Sequence, residues 1–253
     1  TVTGGTATVA AGTPITRAME GVEVTVTAQA PAGKHFVKWV VKAGGVTLAN
    51  ETSATTTFIM PANDVTIEAK LVENPFVDVS ESSVYYDAIL WAYYHEPQQI
   101  TGGYTATEFR PGNPCTRGQV VTFLWRAAGC PEPTGDTSMF NDASSIAAPY
   151  RKAVAWAVEK GITTGYNDGT FRPNDSVTRA QFVTFLWRYE GKPATSGSIA
   201  GFTDASSIAE PYQQAVAWAV EKGITTGYND GSFRPNATCT RWAVVLFMYR
   251  DMT

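Results

Sequence analysis

The sequence predicts an α+β multidomain chain: a small all-β domain at the N-terminus, then a mostly α series of three helix-loop-helix units. Three observations carry that prediction. Between residues 76 and 252 one pattern recurs every 62 residues, visible in Arg117, Arg179 and Arg241, in Asp142 and Asp204, and in Trp156 and Trp218. Within it, apolar residues return at the helical period. Before it, apolar and polar residues alternate with period two, as in a half-buried strand. The expected boundaries are 1–73 for the β domain and 74–130, 139–193 and 201–253 for the units, with Pro-, Gly- and Ser-rich linkers "CPEPTGDTS" and "KPATSGSIAG" between the units.

In the β domain, Val22, Val24 and Val26 alternate with polar neighbours, as do Val65, Ile67, Ala69 and Leu71. Gly12, Pro31-Ala32-Gly33, Gly44-Gly45 and Pro61-Ala62-Asn63-Asp64 punctuate the strands. His35 and Trp39 read as strand packing. In the second and third units the first helix opens at Pro149 or Pro211, tolerated in a first turn whose donors are unpaired. It stops at Gly161 or Gly223, a natural residue just past a helix end. Thr178 caps the second helix and Gln181, three residues on, completes a capping box. Thr116 and Gln119 repeat this pair, while Thr240 keeps the cap and Ala243 drops the reciprocal partner.

Phe182, Phe185, Leu186 and Tyr189 then form an apolar stripe. Between the helices, "GYNDGTFRP" supplies turn residues and a short extended Phe-Arg-Pro. The first unit diverges in its middle, with 18 residues from Trp91 to Phe109 against 15 in the others. Two short helices cannot bury such faces alone, so the units are expected to pack on one another.

Composition excludes several function classes. The 253 residues are 44% hydrophobic and 17% charged, which argues against disorder. A net charge of −4 argues against a general nucleic-acid binder, whose affinity rests on neutralising phosphates. No apolar run approaches the roughly 20 residues of a membrane span, so no membrane insertion is expected. Two histidines are too few for a His-rich metal site or several acid/base roles, and the repeated aspartates lack the partner carboxylate that glycan hydrolysis needs. No catalytic residue, cofactor or metal is therefore expected. "YNDG" followed by "ND" lacks the terminal Glu of a calcium loop. Cys115 and Cys130 bracket a helix, about 20 Å apart at its rise per residue, so they cannot pair and the three cysteines read as free. The start, "TVTGG", without Met or signal peptide, reads as a piece of a longer protein.

The Phe-x-Asp opening, the "GYNDGTFRP" loop and the "TRAQ" helix start follow in this order in the second unit, with variants in the first and third, where the helix starts read "TRGQ" and "TRWA". Residues 76–252 thereby resemble the S-layer homology family, and "PAGKHFVKWV" with "TTTFIMPANDVTIEAKL" resemble the divergent InlB-type repeat. The first resemblance implies a pseudo-threefold, mostly helical prism whose inter-repeat grooves bind a secondary cell-wall polysaccharide, a peptidoglycan-linked glycan often bearing a pyruvate ketal. That would make the chain a noncovalent, extracellular wall anchor of a Gram-positive-type surface protein, with the β domain as spacer. The alternative is an adhesin fragment whose β domain binds an external glycan or protein.

A pyruvate ketal presents a fixed carboxylate, which a guanidinium meets with forked hydrogen bonds. Arg117, Arg179 and Arg241 each follow the cap Thr, where a cation opposes the helix dipole at a cost of about 0.3–1 kcal/mol while the free N–H groups favour an anion. The repeated choice suggests a nearby anion; the bland reading pairs each Arg with Asp78, Asp142 or Asp204. Those aspartates in turn either accept sugar hydroxyls or cap a helix. Gly103, Gly165 and Gly227 either let a sugar approach the backbone or only supply a positive φ. Trp91, Trp156 and Trp218, like Trp125 and Trp187, recur on helices and read as core. Trp242, which replaces a small residue after Arg241, either adds a sugar platform or blocks the third groove.

Overall fold

A computed structural model describes residues 1–9 and 12–253. They divide into two compact units, Thr1–Val79 and Ser80–Met252.

The first unit holds two sheets. One has strand order β1-β7-β5, with β1 (Val2–Thr3) parallel and β5 (Lys34–Ala43) antiparallel to β7 (Thr66–Glu73). The other is antiparallel, in the order β3-β2-β4-β6: β3 (Thr13–Pro14), β2 (Gly5–Val9), β4 (Glu23–Ala28) and β6 (Thr55–Ile59). The breaker segments at 31–33, 44–45 and 61–64 all fall between strands. Alternation puts Val24 and Val26 of β4, Phe58 of β6 and Ile67 and Ala69 of β7 into one core with Val65 and Trp39. The Trp39 indole N–H donates to the Ser53 carbonyl at 3.1 Å, so its burial leaves no donor orphaned.

The second unit holds six helices: α1 (Tyr86–Tyr94), α2 (Arg117–Ala127), α3 (Ala148–Glu159), α4 (Arg179–Tyr189), α5 (Glu210–Glu221) and α6 (Arg241–Met252). Capping boxes start α2 at Thr116/Gln119 and α4 at Thr178/Gln181. At α6, by contrast, the Thr240 hydroxyl is buried without a hydrogen-bond partner, so the cap expected there is not made. Ala243 in place of Gln also removes the reciprocal bond to the Thr240 N–H.

The repeats close into a threefold cycle through their backbones. The N–H of Cys115 donates to the Cys239 carbonyl at 3.0 Å, that of Val177 to Cys115 at 2.9 Å, and that of Cys239 to Val177 at 2.8 Å. One step outward, the first N–H of each second helix also crosses to another repeat: Arg117 to Asp175, Arg179 to Ala237 and Arg241 to Asn113, each at 2.9 Å. The second N–H does the same, from Gly118 to Pro173, Ala180 to Pro235 and Trp242 to Pro111. The donors expected to await an anion at these helix starts are thus consumed by neighbouring repeats. Helices follow the same cycle, α2 packing on α3, α4 on α5 and α6 on α1. Trp91, Trp156 and Trp218 are buried. Trp125 and Trp187 instead tie down the linkers, their indole N–H groups donating to the Pro131 and Pro193 carbonyls. All three cysteines are free.

The inter-helix loops of the second and third repeats are each latched by the Phe-x-Asp aspartate. Asp142 accepts the N–H groups of Phe171 and Arg172 at 2.8 and 2.7 Å, and Asp204 those of Phe233 and Arg234 at 2.8 Å each. Neither caps the short 3₁₀ turn that follows it, which corrects the capping alternative. The latch holds Arg172 and Arg234 at φ +57° and +56°, a left-handed backbone that costs a residue with a Cβ about 1 kcal/mol or more.

Two outcomes follow for stability. Asp204→Asn replaces one oxygen by a donor facing an N–H, and is expected to lower the urea-unfolding free energy by about 1–3 kcal/mol; an unchanged midpoint would remove the latch. Near the end of α6, burial above all, with Glu190 adding to it, pushes the Asp251 carboxyl up to about 7. A carboxyl whose folded pKa lies above its unfolded value near 4 costs nothing below pH 4, and destabilises increasingly as pH rises toward 7. Asp251→Asn should therefore raise stability at pH 8 by about 1–2 kcal/mol, discounted for partial exposure, and leave it unchanged at pH 4, as read by thermal unfolding.

Candidate functional site

The helix cycle creates three equivalent positions: groove I between α2 and α3, groove II between α4 and α5, and groove III between α6 and α1. Groove II is a cavity of ≈ 450 Å³ lined by all three repeats, Arg117 from the first, the loop 163–168 with Arg172 and α4 side chains from the second, and Pro211 and Tyr212 from the third.

Arg117 forms its floor. The start of α2 is pinned to the second repeat by its own N–H groups, and this aims the side chain into that repeat's loop. There the Nε–H donates to the Phe171 carbonyl at 2.9 Å. The guanidinium carbon lies 4.6 Å from the Tyr166 ring centre, 5.0 Å from Phe171 and 5.2 Å from Phe185. The residue is 3% exposed. Burial is the main influence on its pKa, which it lowers, so the cost of holding the cation falls on the protein. Aromatic faces repay part of that cost.

The other two arginines repeat this geometry. The Arg179 Nε–H reaches the Phe233 carbonyl at 2.9 Å beside Tyr228, Phe233 and Phe247, and its Nη2 lies 3.5 Å from the Thr225 hydroxyl. The Arg241 Nε–H reaches the Phe109 carbonyl at 3.1 Å beside Tyr104, Phe109 and Phe123, and its Nη2 also donates to the Gly102 carbonyl at 2.9 Å. Among the described residues, no carboxylate lies within ion-pair distance of Arg117 or Arg179. The alternative in which an Asp pairs with each arginine is not what these two show: Asp142 and Asp204 are spent on loop N–H groups instead. Asp78 lies in the segment between β7 and α1, within the first compact unit.

Gly165 and Gly227 have φ +78° and +81°, and a Cβ there would fall 2.6 and 2.7 Å from Phe140 and Phe202 ring carbons. Both positions thus need glycine for backbone conformation and close packing, and Gly165 also lines groove II. Gly103 lies in the divergent first loop, between the end of α1 and α2. Trp242 is half-buried and stacks on Tyr85, ring centres 5.3 Å apart at 28°.

Sequence reasoning missed the second arginine of each loop. Arg172 sits 4.1 Å from the Tyr166 ring and pairs with Asp168 at 2.5 Å; Arg234 sits 4.2 Å from Tyr228 and pairs with Asp230 at 2.7 Å. Hydrogen bonds from Thr170 and then Arg172 hold the Asp168 carboxyl down at about 2. The signal was present, since Tyr and Arg of "GYNDGTFRP" recur with the 62-residue spacing. Each tyrosine thus meets two guanidinium groups, one neutralised by an adjacent carboxylate and one buried in the repeat contact. Chemically, groove II offers a buried cation, the aromatic walls Tyr166 and Tyr212, and the polar groups Thr164, Asn167 and Gln181. That set suits an anionic, hydroxyl-rich ligand.

Comparison with known proteins gives the same organisation. A model of the S-layer homology domain matches residues 75–121, 140–183 and 201–241, and a model of the divergent InlB B-repeat domain matches residues 1–75. An endoglucanase of Bacillus sp. (strain KSM-635) is 31% identical over 188 residues, 73% of this chain and 19% of that protein. A cellulosome-anchoring protein of Acetivibrio thermocellus is 30% identical over 162 residues, 59% of this chain and 34% of that protein. A surface-layer 125 kDa protein of Lysinibacillus sphaericus is 30% identical over 109 residues, 43% of this chain and 9% of that protein. The chain therefore spans about a third or less of the length of these relatives. With three family matches laid along a closed cycle of three repeats, the chain belongs to the S-layer homology domain family and is an extracellular, cell-surface anchoring module behind a divergent InlB B-repeat domain.

Proposed function

We propose that the module anchors its protein noncovalently by binding an anionic secondary cell-wall polysaccharide in the inter-repeat grooves. The recognised group is a carboxylate fixed to a sugar ring, such as a pyruvate ketal. The observation that carries this reading is the Arg117 guanidinium, buried at the floor of groove II with no carboxylate within ion-pair distance and with Asp175 acting on it only from further off. A cation held that way is costly until an anion arrives, and a forked pair of charge-assisted hydrogen bonds is the strongest compensation available to it. Tyr166 and Tyr212 then pack on the sugar, and the loop's polar groups meet its hydroxyls. Asp142 and Asp204 act one step back, by holding the loops. Any catalytic activity of the whole protein belongs to other parts of it.

The reading is tested by sedimenting the protein with purified cell walls before and after chemical removal of the secondary polymer. Binding is expected to be lost with the polymer, and equal binding to both preparations would overturn it. Arg117→Gln should abolish wall binding, but also lower stability by about 1.5–3 kcal/mol through the lost bond to the Phe171 carbonyl. Tyr212→Ala separates the two effects: binding should fall at least about tenfold, while stability falls by about 1 kcal/mol, as for truncating a half-buried side chain. Retained binding by Tyr212→Ala would place the ligand elsewhere.

A further inference from the structure

The three grooves are related by the backbone cycle, but their walls are not the same. In groove II, Gln181 and Thr184 of α4 both line the cavity, and Gln181 reaches toward the Tyr166 hydroxyl at 3.4 Å. Gln119 and Thr122 hold the same positions in α2. In α6 those positions are Ala243 and Leu246. The preceding residue changes too: Gly118 and Ala180 become Trp242. A small residue is needed there in groove I, because a Cβ on Gly118 would already meet the Tyr150 ring at 3.0 Å. At groove III the residue at Tyr150's position is Tyr85, and it stacks on the Trp242 ring instead.

The first helix of the first repeat is altered to match. α3 and α5 begin eight residues before Trp156 and Trp218, whereas α1 begins five residues before Trp91, so the turn carrying Tyr85 is not part of the helix. Three neighbouring side chains of α6 thus exchange a hydroxyl and an amide for apolar groups and fill the crossing with an indole.

Resting on the polysaccharide reading above, we infer that Trp242, Ala243 and Leu246 close groove III to the carboxylated sugar, so that one chain takes this ligand in grooves I and II only. Groove III keeps its arginine for the fold: Arg179 still ties the second repeat to the third through the Phe233 carbonyl. Its wall, however, no longer offers the amide donor of Gln181 or the hydroxyl oxygen of Thr184, whose own proton goes to the Ala180 carbonyl, and desolvating a hydroxyl-rich ligand against Leu246 and Trp242 is unfavourable.

The test is calorimetric stoichiometry with a methyl hexopyranoside bearing a pyruvate ketal as the probe. The unmodified chain should bind two equivalents. The triple variant Trp242→Ala, Ala243→Gln, Leu246→Thr carries the residues that the second repeat itself uses, and should bind three. In the opposite direction, Gln181→Ala with Thr184→Leu should reduce two to one, so the inference stays testable if the triple variant misfolds. Three equivalents bound by the unmodified chain, or a stoichiometry that neither variant alters, would overturn the inference while leaving the polysaccharide reading standing. Absence of binding by every chain, together with polymer-independent wall binding, would remove the reading on which it rests.

Discussion

The structure of the helical unit depends on one repeated interaction, an arginine of each repeat buried in the loop of the next. Arg117, Arg179 and Arg241 are 3–5% exposed, and each gives its Nε–H to a phenylalanine carbonyl in a different repeat. No repeat can satisfy its own arginine, so none is complete alone. The backbone bonds around Cys115, Val177 and Cys239 impose the same condition on the main chain. Two short helices with one apolar stripe bury too little surface to be independent. The cyclic exchange of donors turns three such pairs into one unit.

The same interaction links stability to function. Placing a cation in an aromatic cage costs desolvation energy that a carbonyl and three rings offset only in part. A protein tuned for stability alone would have placed a carboxylate there, and suitable aspartates are at hand. Asp142 and Asp204 are instead directed to the N–H groups of Phe171, Arg172, Phe233 and Arg234, where they shape the loop. On the proposed reading, the local charge is left for the ligand. The proposed preference for anions is compatible with a net charge of −4, because Arg117, Arg179 and Arg241 are buried cations that act locally.

Much of this organisation was legible in the sequence. The 62-residue spacing, the caps at Thr116 and Thr178, and the alternation of Val24 with Val26 follow from local rules and reappear in the fold. What was not legible depends on the cycle. The helix-start N–H groups looked available because a linear reading cannot see Asp175, Ala237 and Asn113 arriving from other repeats. The aspartates looked like caps or arginine partners because the residues they do hold lie about 30 positions further on. Arg172 and Arg234 went unremarked because their left-handed backbone and their stacking on tyrosine are properties of the latched loop. Trp242 stood out as an irregularity, and only its stack on Tyr85 says what the irregularity does.

The central claim is that a fixed carboxylate completes the site at Arg117. Calorimetric titration of the unmodified protein with the pyruvate-ketal hexoside and with its methyl ester tests this most directly, since the two differ in charge but hardly in shape. The account predicts that the acid binds and that esterification weakens binding by at least tenfold, about 1.4 kcal/mol or more. Equal affinity for acid and ester would contradict it.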